Sequence, residues 1–136
     1  MPLLGETSYK IPIRITDINY GNHAGNDSIV AIIHESRMQW LHFYGFTELN
    51  IGGIGLIMSD LCIVFKHEAF YGDILSVKLG IGEISNSGFE IFYQLKVLRG
   101  KEEILVAEAK TGMVCFNYSL RKVAPIPGIL RQILSP

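Results

Sequence analysis

The sequence predicts an α+β domain in which one long, mostly apolar helix lies against a single curved antiparallel sheet of about five strands. Two observations predict it. One is an unbroken helical pattern from Ser28 to about Tyr44, whose apolar residues cover most of its circumference. The other is a series of apolar runs, one before that helix and four after it, divided by turn signals. A helix that is apolar on most sides must be buried on most sides, and the strands are what remains to wrap it.

In chain order, Tyr9 to Ile15 alternates as a short strand, with Ile11, Ile13 and Ile15 on one face. The helix follows, with Asn26 or Asp27 as its N-cap and Gly45 as its stop. Ile29, Ile32, Ile33, Trp40, Leu41 and Phe43 form its apolar surface, and Glu35, Gln39 and His42 a thin polar stripe. Gly52-Gly53 opens a run from Leu56 to Ala69, which Tyr71-Gly72-Asp73 turns back. Leu75, Val77, Leu79 and Ile81 then alternate, and after Ser85-Asn86-Ser87-Gly88 so do Phe89, Ile91, Tyr93, Leu95 and Val97. Gly100-Lys101-Glu102 leads into a last run, Ile104 to Phe116. Pro125-Ile126-Pro127-Gly128 introduces a short terminal helix, Ile129 to Leu134.

The 136 residues, 49% hydrophobic and 18% charged, read as one folded domain spanning residues 1–136. A net charge of −1 with scattered Lys and Arg gives no electrostatic case for nucleic acid. No apolar run approaches the roughly 20 residues of a bilayer span. Met1 to Glu6 lacks a secretory pattern, so the expected address is cytoplasmic, without membrane attachment. Cys62 and Cys115 lie in apolar runs and read as reduced core thiols. A mean hydropathy of +0.29 is high for so small a chain and points to apolar surface covered by a partner subunit or a ligand.

The chemistry concentrates between Asp17 and Asp27. That segment holds two acids, His23, three asparagines (Asn19, Asn22, Asn26) and two glycines, at the mouth of the apolar helix. A helix N-terminus offers unpaired N–H groups and positive potential, so anions and developing oxyanions settle there. Asp17 is a candidate base two residues before Asn19, sharing its face if the segment is extended, or else a turn-stabilising carboxylate. Asp27 is a candidate acid beside the helix start, or simply a first-turn residue. His23 is a candidate base near neutral pH, or a loop histidine bonded to a carbonyl. Glu35, two turns into the helix, reads first as a partner of Gln39 or Arg37. Asn19 and Asn26 can hold a carbonyl or a water, and Gly21 and Gly25 allow close backbone approach. His34-Glu35-Ser36-Arg37-Met38 begins like a zinc-protease helix but lacks the second histidine. His42 and His67 have no ligand partners at diagnostic spacing, and Ser59 has no nucleophile-elbow glycines, so no metal is expected.

These residues, in this order, resemble the hot-dog acyl-CoA thioesterases of the 4-hydroxybenzoyl-CoA thioesterase type. Members carry Arg, an aromatic, any residue, Asp, any residue, Asp, then Gly-His-Val-Asn-Asn and a helix ending near Glu-x-Ala-Arg. Arg14 and Asp17 match the opening, His23 and Asn26 the histidine and second asparagine, and Glu35-Ser36-Arg37 the helical signature. Tyr71-Gly72-Asp73 sits at the family's Gly-Asp turn, and Ala124-Pro125-Ile126-Pro127 at its proline-containing close. The departure is at position 19, where the family's catalytic carboxylate is replaced by Asn19; Gly25 and Asn22 also replace family residues.

The resemblance implies hydrolysis of an acyl-CoA or acyl-carrier-protein thioester to acid and thiol, with oxyanion donors near Asn26. It implies no cofactor beyond the coenzyme A portion of the substrate, and a homodimer or dimer of dimers with sites at the interface. A thiolate leaves readily, so the reaction needs a base for water and N–H donors for the oxyanion, not a strong acid. Asp17 or Asp27, with His23, are expected to direct the water, and Asn19, Gly21 and Asn26 to line the substrate. Lys66, Lys78, Arg99, Lys101, Arg121 and Lys122 are available to coenzyme A phosphates. Two other readings stand beside this one. One is a non-hydrolytic acyl-thioester binder. The other is a hot-dog enoyl-thioester hydratase, whose Asp-x-Asn-Pro-x-His pattern Asp17-x-Asn19 and His23 loosely resemble, with the proline absent and the histidine one residue late.

Overall fold

The computed structural model describes residues 8–135; the leader expectation for Met1 to Glu6 lies outside them. The elements are β1 (Tyr9–Pro12), a 3-10 turn (Ile15–Asp17), α1 (Asn26–Phe43), β2 (Gly55–Phe65), β3 (Ile74–Ile84), β4 (Gly88–Arg99), β5 (Glu102–Asn117), β6 (Lys122–Val123) and α2 (Gly128–Leu134). The strands form one antiparallel sheet in the order β1-β3-β4-β5-β2, and β6 pairs with β5. The expected layout holds, with β6 as an addition that no alternation over two residues could announce.

β3 and β4 obey period two. Leu75, Val77, Leu79 and Ile81 face inward, opposite Val97, Leu95, Tyr93 and Ile91, and all eight are buried. Against this floor lie Ile29, Ile32, Ile33, Trp40 and Leu41 of α1. Trp40 meets Phe89 edge-on with centroids 6.4 Å apart. Each such side chain removed from water contributes about 1.5–3 kcal/mol, so the face of α1 is fixed by burial more than by propensity.

A buried polar chain sets the rotation of α1. Arg37, only 4% exposed, donates to Glu48 Oε2 at 2.9 Å and to the Tyr93 hydroxyl at 3.1 Å. The Tyr93 hydroxyl lies 2.7 Å from Thr111 Oγ1, and His34 pairs with the other oxygen of Glu48. Burial disfavours the Arg37 charge, but Tyr93 and Glu48 more than offset it, and its pKa is raised. Burial likewise pushes the Tyr93 phenol up, against the pull of Arg37, so it stays a hydroxyl that can pass the bond on to β5.

Several sequence expectations are corrected. β1 ends at Pro12 because Ile15 enters the 3-10 turn, where it is 69% exposed. α1 begins at Asn26, not Ser28, and its cap is Gly25, not Asn26 or Asp27. Phe43 sits in the exposed last turn. Cys62 is exposed because β2 is an outer strand, whereas Cys115 is buried as expected. In β2 a bulge between Met58 and Asp60 shifts the pairing with β5. The inward phase therefore passes from Leu56 to Leu61 and Ile63, so the run shows no single alternation.

Candidate active site

The segment from Asp17 to Asn26 is a compact loop closed by backbone bonds. Asn19 N–H donates to His23 O at 3.0 Å, Gly25 N–H to Asp17 O at 3.0 Å, and Asn22 N–H to Asn19 O at 3.1 Å. Asn22 takes a positive φ of 64°, which asparagine tolerates better than most residues. Gly21 is required by contact. A Cβ there would stand 2.9 Å from His23 Nε2 and 3.3 Å from Asn19 Oδ1. Gly25 is equally constrained, since its Cβ would stand 2.7 Å from Asp27 Oδ1 and 3.7 Å from Asn19 Nδ2. The Asn19 amide thus lies between the two glycines. Its Oδ1 accepts the Gly21 N–H at 2.9 Å, which leaves Nδ2 as a donor on the Gly25 side.

From Gly25 the chain enters α1, whose first intrahelical bond is Ile29 N–H to Gly25 O. The N–H groups of Asn26, Asp27 and Ser28 precede it without helical acceptors. Beside this end is a cavity of about 200 Å³. Its floor is apolar, from Ala24, Ile29, Phe65, Ala69 and Val106, and its rim carries His23, Asn26, Lys66, His67 and Glu68. His23 Nδ1 lies 3.1 Å from Ala24 O and its Nε2 lies 3.8 Å from Glu68 Oε1. A carbonyl only accepts, so Nδ1 carries hydrogen and Nε2 is free to exchange a proton.

The structure therefore brings together His23 and Asn26 on one cavity, with Gly21 against the His23 ring and the Asn19 side chain bonded to Gly21. It does not bring Asp17 there. Asp17 closes the 3-10 turn, and the chain is extended only from Ile18, which bridges to Ala24. At 6% exposure its Oδ2 accepts the Arg14 N–H at 2.8 Å and faces the Arg14 Nε at 3.6 Å. It lines a separate cavity with Glu35 and Gln39, on another side of α1. Glu35 accepts from Gln39 at 3.0 Å, while Arg37 turns to Glu48. Asp27 is exposed in the first turn, beside Gly25 but outside the rim of the 200 Å³ cavity.

Phe65 and Glu68, at the end of β2 and beyond it, had no signal in the sequence, whereas Lys66 stands among the cations available to phosphate and His67 is set aside as a ligand. The loop after β2 comes to the helix mouth because Ala24 N–H donates to Ala69 O at 2.7 Å. Arg99 then fixes the far side of that loop, donating to Glu68 O and to Asp73 Oδ2, each at 2.8 Å, and stacking over Phe70 at 4.9 Å. It is therefore structural here, not a free cation waiting for phosphate. Among the described residues no cluster of histidine, cysteine and carboxylate groups could hold a metal.

Residues 13–134 match the model of the thioesterase-like superfamily. The chain belongs to the thioesterase-like superfamily. A curated relative, the 1,4-dihydroxy-2-naphthoyl-CoA hydrolase of Microcystis aeruginosa (strain NIES-843 / IAM M-2473), is 27% identical over 109 residues, covering 78% of this chain and 76% of the relative. The crystal structure of a 1,4-dihydroxy-2-naphthoyl-CoA thioesterase from Synechocystis is similar at a TM-score of 0.82 and 25% identity, covering 93% of each chain. A 4-hydroxybenzoyl-CoA thioesterase variant solved with 4-hydroxybenzoyl-CoA shares the fold at a TM-score of 0.84 and 18% identity, over 95% of this chain and 98% of that one. The motif resemblance and the hot-dog arrangement are both borne out. Within this thioesterase-like frame, the apolar cavity at the start of the long helix is the candidate active site, with an asparagine where the motif has its carboxylate.

Proposed function

We propose that this chain hydrolyses acyl-CoA thioesters at the cavity beside the N-terminus of α1, using His23 as the base that activates water. One observation carries the reading: the free Nε2 of His23, the Asn26 end of α1 and an apolar floor converge on one cavity. The thioester carbonyl would point its oxygen toward the unpaired N–H groups at Asn26. There the helix dipole and N–H donors stabilise the negative charge as it develops. Water attacks the carbonyl carbon and gives a proton to His23 Nε2. The C–S bond then breaks, and the same proton passes to the departing thiolate sulfur. Asn19 Nδ2 supplies a further donor on the Gly25 side, Gly21 keeps room for the His23 ring, and Asp27 stays outside the rim as a first-turn acid. Asp17 supports the loop through its turn.

The acyl group is proposed to be a hydroxylated aromatic ring. Two relatives at 25–27% identity are named for such a substrate, and the floor of Ala24, Ile29, Phe65, Ala69 and Val106 suits a flat apolar group. Coenzyme A enters only as part of the substrate, with no bound cofactor. A homodimer in the cytoplasm is the proposed form. β2 ends the sheet with Ile57, Met58, Val64 and Phe65 36–49% exposed, and Phe65 also lines the cavity, so a second copy on that edge would complete the site.

No helix of the described residues is long and apolar enough to cross a membrane. The test is thiol release from hydroxylated aromatic, short-chain and long-chain acyl-CoAs, followed colorimetrically. Preferential release from the aromatic esters is expected. Asn19 favours one competing reading, a binder that holds acyl-CoA without turnover, and calorimetric binding with no thiol release from any ester would establish it.

A further inference from the structure

We infer that Glu68 is a positioning residue for this reaction, acting through the His23 ring by stabilising the imidazolium that forms when Nε2 takes the proton from water. The inference rests on the hydrolytic reading above and adds a residue that neither the motif nor the resemblance supplies. His23 sits between two acceptors, Ala24 O at 3.1 Å from Nδ1 and Glu68 Oε1 at 3.8 Å from Nε2. The Glu68 distance is too long for a direct hydrogen bond but is ordinary for an ion pair once the ring is charged. Such a carboxylate favours the transition state, where the ring is becoming cationic, over the ground state, where it is neutral.

The other carboxylates do not take this part. Position 19 carries an amide, Asp17 is bound into its turn on a separate cavity, and Asp27 lies outside the cavity rim. Glu68 is the one acid among the described residues that line the cavity. Its backbone is held from both sides, by the Ala24–Ala69 bond at 2.7 Å and by Arg99 on its own carbonyl at 2.8 Å. The side chain thus projects from a fixed platform despite being 61% exposed. Among its neighbours, His67 is turned away by its bond to Leu105 O at 3.0 Å. No bond to Glu68 forms or breaks.

The test compares Glu68→Gln and Glu68→Asp in the intact chain. Because Glu68 is exposed and acts only through His23, its contribution falls below that of the base itself, and Glu68→Gln is expected to lower kcat about tenfold with KM unchanged. Glu68→Asp, which keeps the charge, should recover part of that loss. In a His23→Gln background, Glu68→Gln should cost nothing further, since its effect passes through the ring. Unchanged kcat in Glu68→Gln, or an equal loss in the His23→Gln background, would overturn the proposal. A second readout needs no turnover: the ring-nitrogen NMR shifts of His23 should move in Glu68→Gln while those of His34 and His42 stay. An inert wild type with a moving His23 signal would sink the hydrolytic reading and leave the coupling standing. A His23 signal that does not move sinks the coupling.

Discussion

At the scale of single residues, the decisive feature is that an amide replaces a carboxylate at position 19 and a histidine stands across the loop from it. Removing the ring by His23→Gln is expected to lower kcat by about two to four orders of magnitude, the usual range for a general base, in a thiol-release assay. Asn19→Asp asks a different question. Aspartate can still accept the Gly21 N–H but turns the Nδ2 donor into a second anion near Asp27. A fall in kcat of about tenfold or more is therefore expected, as for other lost donors at a developing oxyanion. A rise would instead show that a carboxylate at 19 is competent, and activity appearing where the native chain has none would show that the binder reading describes it. His23 and Asn26 were legible in the sequence because polar residues before an apolar helix mark its N-terminus. Glu68 was not, because its place depends on a loop that follows a different strand. The cysteines separate in the same way. Burial pushes the Cys115 thiol up to about 11, with Arg131 pulling the other way, whereas Cys62 lies on an outer strand. A disulfide-exchange reagent at pH 8 should label one thiol per native chain and two after unfolding. Native stability should fall as pH rises from about 9 toward about 11, because only the unfolded chain releases that proton easily in this window.

At the scale of elements, α1 is held by apolar burial and oriented by one ionic contact. Arg37 ties it to the loop at Glu48 and, through Tyr93 and Thr111, to β4 and β5. Arg37→Met fits the apolar surroundings but leaves Glu48 with only His34, and Glu48 is 17% exposed. We expect a loss of about 3 kcal/mol in urea unfolding, as when one partner of a buried pair is removed. Adding Glu48→Gln should return part of it, because the stranded charge accounts for much of the cost. Thioesterase activity per folded molecule should fall too, since rotation of α1 carries Asn26 with it. This contact also marks the limit of what the elements revealed in advance. β3 and β4 were legible from strict alternation, as both pair on two sides and face one core. The bulge in β2 and the 3-10 turn at Ile15–Asp17 break the local period, so neither Cys62 nor Asp17 could be placed from spacing alone. Glu48, in an irregular loop, meets Arg37 only after the helix has docked.

At the scale of the whole molecule, the sheet is unfinished on one side. β1, at the opposite end, is four residues long, whereas β2 offers eleven residues with a hydrogen-bonding edge that no described strand covers. A long, partly apolar edge without proline and with a single charge, Asp60, favours pairing with another strand. The bulge at Ser59 and the carboxylate of Asp60 fall at the middle of that edge, where Asp60 Oδ1 turns back to accept the Gly112 N–H at 2.7 Å, and leave an apolar stretch on either side. Pairing of β2 with β2 of a second copy would give a continuous sheet and bring the second copy toward Phe65 and the cavity. It also accounts for the high mean hydropathy, since Ile57, Met58 and Val64 would lose their exposure. Sedimentation is therefore expected to give twice the 15.2 kDa of the chain. Placing lysines on the edge, Ile57→Lys with Val64→Lys, should yield monomers, because pairing would bring like charges together without water. If the cavity is completed across that edge, the monomeric variant should remain folded by circular dichroism yet lose most of its thiol release. A folded, fully active monomer would show instead that the site is complete within one chain.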